Sequence, residues 1–215
     1  VKLYSYWRSS AAYRTRIALN FKQLNYKIVP VNLAPDSNEQ QTATYGEVNP
    51  ARLVPALDDD GFIIHQSMAI IEYLDNKYPQ QRLIPEDSQS AAQVRAIAQD
   101  IACDIHPLNN LRVLNYLQDK IGIDDKLKQS WYHHWLHTGF AAIERQLRHC
   151  AGHYAVANNF SLADVCLVPQ VYNALRYKLD ISPYSMIQRV YGHCLELEAV
   201  RKAKPEIQPD AVHSR

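Results

Sequence analysis

The chain has 215 residues, of which 47% are hydrophobic and 21% charged, and a formal net charge of +1. That length allows one or two domains with a full core, and so small a charge gives no electrostatic reason to expect nucleic acid or an anionic membrane as partner. No stretch approaches the roughly 18 apolar residues of a spanning helix, and the opening "VKLYSYW" is too short and too polar at its flanks for a secretory signal, so a cytoplasmic protein is expected.

"KLYSY" reads as a short strand. Residues 11–23 then place Tyr13, Ile17 and Phe21 at helical spacing, with Ala18 beside them, which predicts a helix. "YKIVPV" is a second strand, and "LVPAL" and "GFIIH" are two more, joined by the turn residues "DDDG". "MAIIEYL" begins a helix that "YPQQ" stops, because Pro79 cannot continue it. The order β-α-β, a loop, then β-β-α over residues 1–80 predicts a thioredoxin-like domain.

"PQQRLIPEDSQ" is polar and proline-bearing, and residues 81–87 are expected to link two domains. Beyond it strand signals almost vanish, so 88–215 is expected to be all-helical, giving an α/β plus all-α architecture. Residues 88–118 and 124–150 carry long 3.6-residue periods, the first interrupted and kinked by Pro107. At "FSLAD", Ser161 stands as N-cap and Asp164 three positions into the helix, with Phe160 and Val165 at the positions of a hydrophobic staple. The helix that follows, "VCLVPQVYNALRY", is apolar nearly all round and is expected to be buried, with a bend at Pro169.

Five stretches carry candidate chemistry. In "YWRSSAAYR", Ser9 and Ser10 sit where a strand meets a helix, where unpaired N–H groups and a partial positive charge stabilise an anion, a thiolate included. Simple capping of the helix would use the same serine. In "NPARLVPAL", a cis bond at Val54-Pro55 would turn the backbone polar groups before it towards a peptide-like ligand, against the general preference for trans. In "HQSMAIIEYL", Ser67 is either a cap or, with its N–H, a holder of a ligand carboxylate. In "CDIHPLNNLRVL", His106, Asn110 and Arg112 lie near a proline kink and line either a cleft or a solvated face. In "HHWLH", His133 and His137 have ligand spacing on a helix, but no glutamate follows His133 and no third ligand is evident, so no metal is expected. Cys103, Cys150, Cys166 and Cys194 form no CxxC pair and are expected to be buried, reduced thiols.

"YSYWRSSAAYRTRIAL", "NPARLVPAL", "HQSMAIIEYL", "CDIHPLNNLRVLNYL" and "FSLADVCLVPQ" together resemble the zeta class of glutathione transferases, nearly end to end. The resemblance implies a cytoplasmic homodimer with glutathione as cofactor. It implies catalytic roles for Arg8, Ser9, Ser10 and Arg176. For glutathione it implies contacts from Ser9, Ser10, Ala11, Arg14, Gln40, Val54, Gln66 and Ser67, with His106, Asn110, Leu111 and Arg112 from the helical part. The family signature Ser-Ser-Cys reads Ser9-Ser10-Ala11 here, which speaks against a mechanism needing a protein thiol there and leaves untouched one in which glutathione supplies the only sulfur.

The implied activity is cis–trans isomerisation of a maleyl compound, maleylacetoacetate first: a thiolate adds to the double bond, the resulting single bond rotates, and elimination leaves the fumaryl isomer. A small dianionic substrate suits arginine forks, for which Arg8, Arg112 and Arg176 are the candidates. An arginine on so apolar a helix as that of Arg176 needs a neutralising partner, either an internal carboxylate or the substrate. Maleylpyruvate isomerisation, general transfer of glutathione to electrophiles such as α-halo acids, and glutathione binding without catalysis remain the other readings.

Overall fold

The computed structural model describes residues 1–211. They form two compact units, Val1–Leu83 with the segment from Leu195 onward, and Ile84–Cys194. The first is built on β1 (Lys2–Ser5), α1 (Ser10–Phe21), β2 (Lys27–Pro30), α2 (Ala43–Val48), β3 (Ala56–Asp59), β4 (Phe62–His65) and α3 (Ser67–Lys77). The strand expected at "LVPAL" starts at Ala56, just past a cis Val54-Pro55 bond. The sheet order is β2-β1-β3-β4, with β1 parallel to β2 and β3 antiparallel to both of its neighbours. This is the thioredoxin-like pattern. Asp60 and Gly61 join β3 to β4 with φ of 54° and 94°, the two positive values that a tight hairpin requires.

α1 ends because Gln23 takes φ 55° and Leu24 N–H reaches back to the Leu19 carbonyl at 3.0 Å, a Schellman closure. Leu19 then packs with Leu3, Leu57, Ile70 and Leu74, all fully buried, with Leu24 against them. Burying each such side chain contributes about 1.5–3 kcal/mol. Lys22 and Asp75 form a buried ion pair at 2.8 Å. Lys22 also donates to the Tyr78 carbonyl, and Asp75 accepts the Leu83 N–H, both at 2.8 Å. The start of the expected linker is thus fastened to the first unit.

The second unit contains α4 (Ser88–Gln99), α5 (Leu111–Tyr116), α6 (Asp125–Cys150), α7 (Leu162–Arg176) and most of α8 (Ser185–Glu196). The single kinked helix expected over 88–118 is broken into α4, a wide turn Asp100–Ile105, a tight turn Pro107–Asn109 and α5. Pro107 lacks an N–H, and just before it His106 N–H reaches five residues back, to the Ile101 carbonyl at 2.9 Å. A Cβ on Gly139 would collide with Ile105, so α6 can lie this close to the wide turn only with glycine there.

α7 opens on the expected box. The Ser161 N–H donates to Asp164 Oδ2 at 2.9 Å, and Asp164 is fully buried. Phe160 and Val165 are buried beside it, and α7 runs unbroken through Pro169. Glu144 of α6 accepts the Met186 and Ile187 N–H groups at 3.1 Å and so caps α8 from a distance in sequence.

The division expected at 88–215 differs from the observed units. α9 (Glu198–Ala203) packs on α1, where Asn20 Nδ2 and Arg16 Nε donate to the Ala199 and Ala203 carbonyls at 3.1 Å. Side-chain donors of α1 claim the carbonyls of the last helix, so the C-terminal segment belongs to the first unit. The cysteines also depart from expectation: Cys166 and Cys194 are buried and Cys150 is half-buried, but Cys103 is exposed on the wide turn. No helix among the described residues is long and apolar enough to cross a membrane.

Candidate functional site

Sheet register brings three of the sequence signals to one edge. Tyr4 pairs with Ala56, and Ala56 with His65. The end of β1, the start of β3 and the end of β4 therefore lie side by side. The chain leaves β1 towards Ser9, arrives at β3 from Val54, and leaves β4 into Gln66 and Ser67. Periodicity alone does not order the strands, and this convergence follows from the observed pairing.

Ser9 is the N-cap of α1, with φ −67° and ψ 120°, and its Oγ accepts the Ala12 N–H at 3.2 Å. Capping and anion binding are therefore compatible: the oxygen serves the helix, and the hydroxyl hydrogen donates to no acceptor among the described residues. Ser9 stands at the positive end of a twelve-residue helix with no acidic residue in its first turn. Ser10 is buried behind it, Ala11 fills the position of the family cysteine, and Arg14 is buried one turn on. Arg8 is exposed, stacks over Trp7 at 4.8 Å and donates to the Tyr6 hydroxyl at 3.1 Å, which leaves most of its fork to solvent. Gln40 sits in the turn Glu39–Gln41, its Nε2 on Asn38 Oδ1 at 2.9 Å.

Gln66 carries φ 73° and ψ 114°, a conformation that costs a non-glycine residue roughly 1–3 kcal/mol. Its carbonyl opens α3 by accepting the Ile70 N–H at 2.9 Å, and its side chain is exposed and makes no cap bond. Ser67, the first residue of α3, is buried. The backbone of Gln66 thus opens α3 while its side chain is left facing solvent.

The remaining candidates lie in the second unit, tied to one turn of α6. Trp131 Nε1 donates to the Leu108 carbonyl at 2.8 Å and holds the segment carrying His106, Asn110, Leu111 and Arg112. Asn110 is the N-cap of α5 and accepts the Arg112 N–H at 3.1 Å, while Leu111 and Arg112 are exposed. Tyr132 stacks on Tyr177 with centroids 3.9 Å apart, and His133 Nε2 lies 2.9 Å from the Tyr177 carbonyl. Arg176 spreads over the Tyr177 ring at 4.5 Å, with Nε 3.4 Å from Asn173 Oδ1.

One expectation is corrected here. α7 is buried along most of its length, but Arg176 is its last residue and is exposed. It needs no buried counter-charge, because the helix delivers it to the surface. His137 Nδ1 sits 2.8 Å from the Tyr184 hydroxyl, so His133 and His137, one helical turn apart, serve different partners.

Sequence reading missed the Tyr132–Tyr177 stack under Arg176 and the buried Arg16 that donates to the Trp7 carbonyl. The signal for Arg16 was available: an arginine at the position before Ile17 and three after Tyr13 falls near the inward face of α1.

Residues 1–76 match the family described as "Glutathione S-transferase, N-terminal domain". Over 97% of both chains, the sequence is 54% identical to the probable maleylacetoacetate isomerase of Vibrio cholerae. The holo structure of maleylpyruvate isomerase, a bacterial zeta-class enzyme, superposes with a TM-score of 0.95 at 41% identity over 99% of this chain and 100% of that one. The maleylacetoacetate isomerase of Methylobacterium extorquens AM1, solved with malonate and glutathione bound, gives 0.92 at 34% identity over 99% and 100%. The chain belongs to the glutathione S-transferases, in the zeta class that holds the maleylacetoacetate and maleylpyruvate isomerases.

Proposed function

We propose that this protein is a glutathione-dependent cis–trans isomerase that converts maleylacetoacetate to fumarylacetoacetate, acting in the cytoplasm as a homodimer. The observation that carries the reading is the free hydroxyl donor of Ser9 at the start of α1, on the sheet edge that also holds Val54 and the strained Gln66 before Ser67. These residues fit glutathione. Gln66 and Ser67 offer an exposed amide and a helix start to the γ-glutamyl end, the Val54 backbone suits the cysteinyl part, and Gln40 suits the glycyl end. Glutathione, when bound, supplies the thiolate whose reversible addition to the maleyl double bond permits rotation. The chain's part is to keep that sulfur ionised, through the Ser9 O–H and the α1 dipole. An exposed arginine fork, which Arg8 offers on the first unit and Arg112 and Arg176 each offer on the second, suits a carboxylate of a small dianion, and malonate bound in a relative is such a dianion. The absence of a cysteine at Ala11 leaves this scheme intact, since no protein thiol takes part.

Maleylpyruvate is the second substrate to weigh, because a maleylpyruvate isomerase superposes so closely. For the dimer, β4 is an edge strand with Phe62 57% and Ile63 40% exposed, an apolar margin suited to a second copy. The deciding assay follows the absorbance of maleylacetoacetate and of maleylpyruvate with and without glutathione. Isomerisation only with glutathione, and faster on maleylacetoacetate, is expected. Preference for maleylpyruvate installs the second reading, and no turnover of either overturns both. Arg176→Met should raise the substrate KM by about tenfold, the scale of one lost charge-assisted bond, and leave glutathione affinity unchanged.

A further inference from the structure

The turn that presents Ser9 is held from two directions. It is closed by the Ser9 N–H to the Tyr6 carbonyl at 2.9 Å, with Trp7 and Arg8 at its corner. Both backbone polar groups of Trp7 are taken by charged side chains. Arg16 Nη2 donates to the Trp7 carbonyl at 3.0 Å, and Asp210 Oδ2 accepts the Trp7 N–H at 2.9 Å.

Arg16 is fully buried and is itself fixed, with Nη1 on Ser5 Oγ and Nε on the Ala203 carbonyl, each at 3.1 Å. Asp210 comes from the other end of the chain. Its segment is secured by Gln208, whose Nε2 donates to the Lys204 and Lys202 carbonyls at 2.8 and 3.1 Å. The other Asp210 oxygen is buried and has no partner among the described residues, so the Trp7 N–H is the one bond this carboxylate makes there.

We propose that Arg16 and Asp210 are positioning residues for Ser9: they clamp the peptide groups on either side of Trp7 and so fix where the Ser9 hydroxyl points. In a four-residue turn, the orientation of the corner peptides sets the direction of the last residue. Ser9 must both accept the Ala12 N–H and aim its hydrogen at an anion, so a small rotation of the turn would break one task or the other. The C-terminal segment thereby reports to the reacting sulfur without touching it. The proposal rests on the glutathione reading of Ser9.

The test compares wild type, Asp210→Ala and Asp210→Asn in two measurements. The first is amide hydrogen exchange over residues 7–12, which needs no ligand; it should quicken in Asp210→Ala and recover partly in Asp210→Asn, whose amide oxygen still accepts. The second is the pH profile of the bound glutathione thiolate, read by its ultraviolet absorbance. Its midpoint should rise by about one pH unit in Asp210→Ala, with kcat/KM down roughly tenfold or more and partial rescue in Asp210→Asn. Unchanged exchange overturns the clamp. Faster exchange with an unmoved thiolate profile and rate overturns the positioning role and leaves a tether. If the wild type itself binds no glutathione, the proposed function fails and the positioning role with it, while exchange still decides whether the clamp exists.

Discussion

α1 and α7 both begin at a serine, and the two starts are built for opposite ends. At α7, Ser161 is sealed in the interior. The Asp164 carboxylate takes the Ser161 N–H, the Ser161 hydroxyl and the Ala155 N–H, at 2.9, 3.0 and 2.7 Å, and nothing is left over for a ligand. At α1, Ser9 is half-exposed, has no acidic residue in the first turn to answer it, and spends only its oxygen on the helix. A helix start whose polar groups are all answered from within the chain serves folding. One that keeps a donor and a dipole in reserve is equipped to hold an anion from outside.

The largest effect should come from opening the closed start. Asp164→Ala strands two buried N–H groups and a buried hydroxyl at once, and at 1–3 kcal/mol for each unsatisfied group, partly relieved by relaxation, the loss is about 3–5 kcal/mol. Ser161→Ala removes only the cap oxygen and should cost about 1 kcal/mol. Urea unfolding measures both, and turnover per folded molecule should stay at the wild-type value. Unaltered unfolding midpoints would mean that the box contributes nothing.

Ser9→Ala should do the reverse. The rate with saturating glutathione is expected to fall roughly 10²-fold, the scale of one lost preorganised donor and equivalent to about 2.7 kcal/mol. Stability should drop by only about 1 kcal/mol for the lost cap. A variant with full rate at neutral pH would hand the anion to Ser10 or to the backbone N–H groups, and the contrast between the two helix starts would lose its functional half.

Both serines were legible in the sequence because a cap is a local device: the residue and the helix it opens, with for Ser161 the acid three positions on, lie within one turn. The hairpin at Asp60–Gly61 was legible for the same reason. What the sequence hid is non-local. Pro107 announced a disturbance, but the wide turn upstream of it depends on Gly139 letting α6 approach Ile105. Arg176 looked buried because the pattern of α7 is apolar all round, and periodicity does not say at which residue a buried helix surfaces. Arg16 and Asp210 are 194 positions apart, and only the fold brings them to the two sides of Trp7.

The smallest and sharpest contrast concerns pH. Burial, the largest influence, lifts the Asp164 carboxyl from 3.8 to about 6, against the downward pull of the Ala155 and Ser161 donors and the Cys194 thiol. In the unfolded chain it returns to an ordinary carboxyl. The folded state therefore holds this proton more tightly, and the stability that protonation adds is fully present below about pH 4 and lost as pH rises through about 6. Between pH 5 and pH 7 the loss from this one group is about 1 kcal/mol. Asp164→Asn keeps the shape and cannot titrate, so its stability deficit against wild type should be about 1 kcal/mol larger at pH 5 than at pH 7. Ser9→Ala, which leaves Asp164 alone, should follow the wild-type slope. An equal deficit for Asp164→Asn at both pH values would mean that the carboxyl is already ionised at pH 5, its donors outweighing burial. In that case the α7 start would hold an anion as α1 is built to do, with the one remaining difference that α7 carries its own.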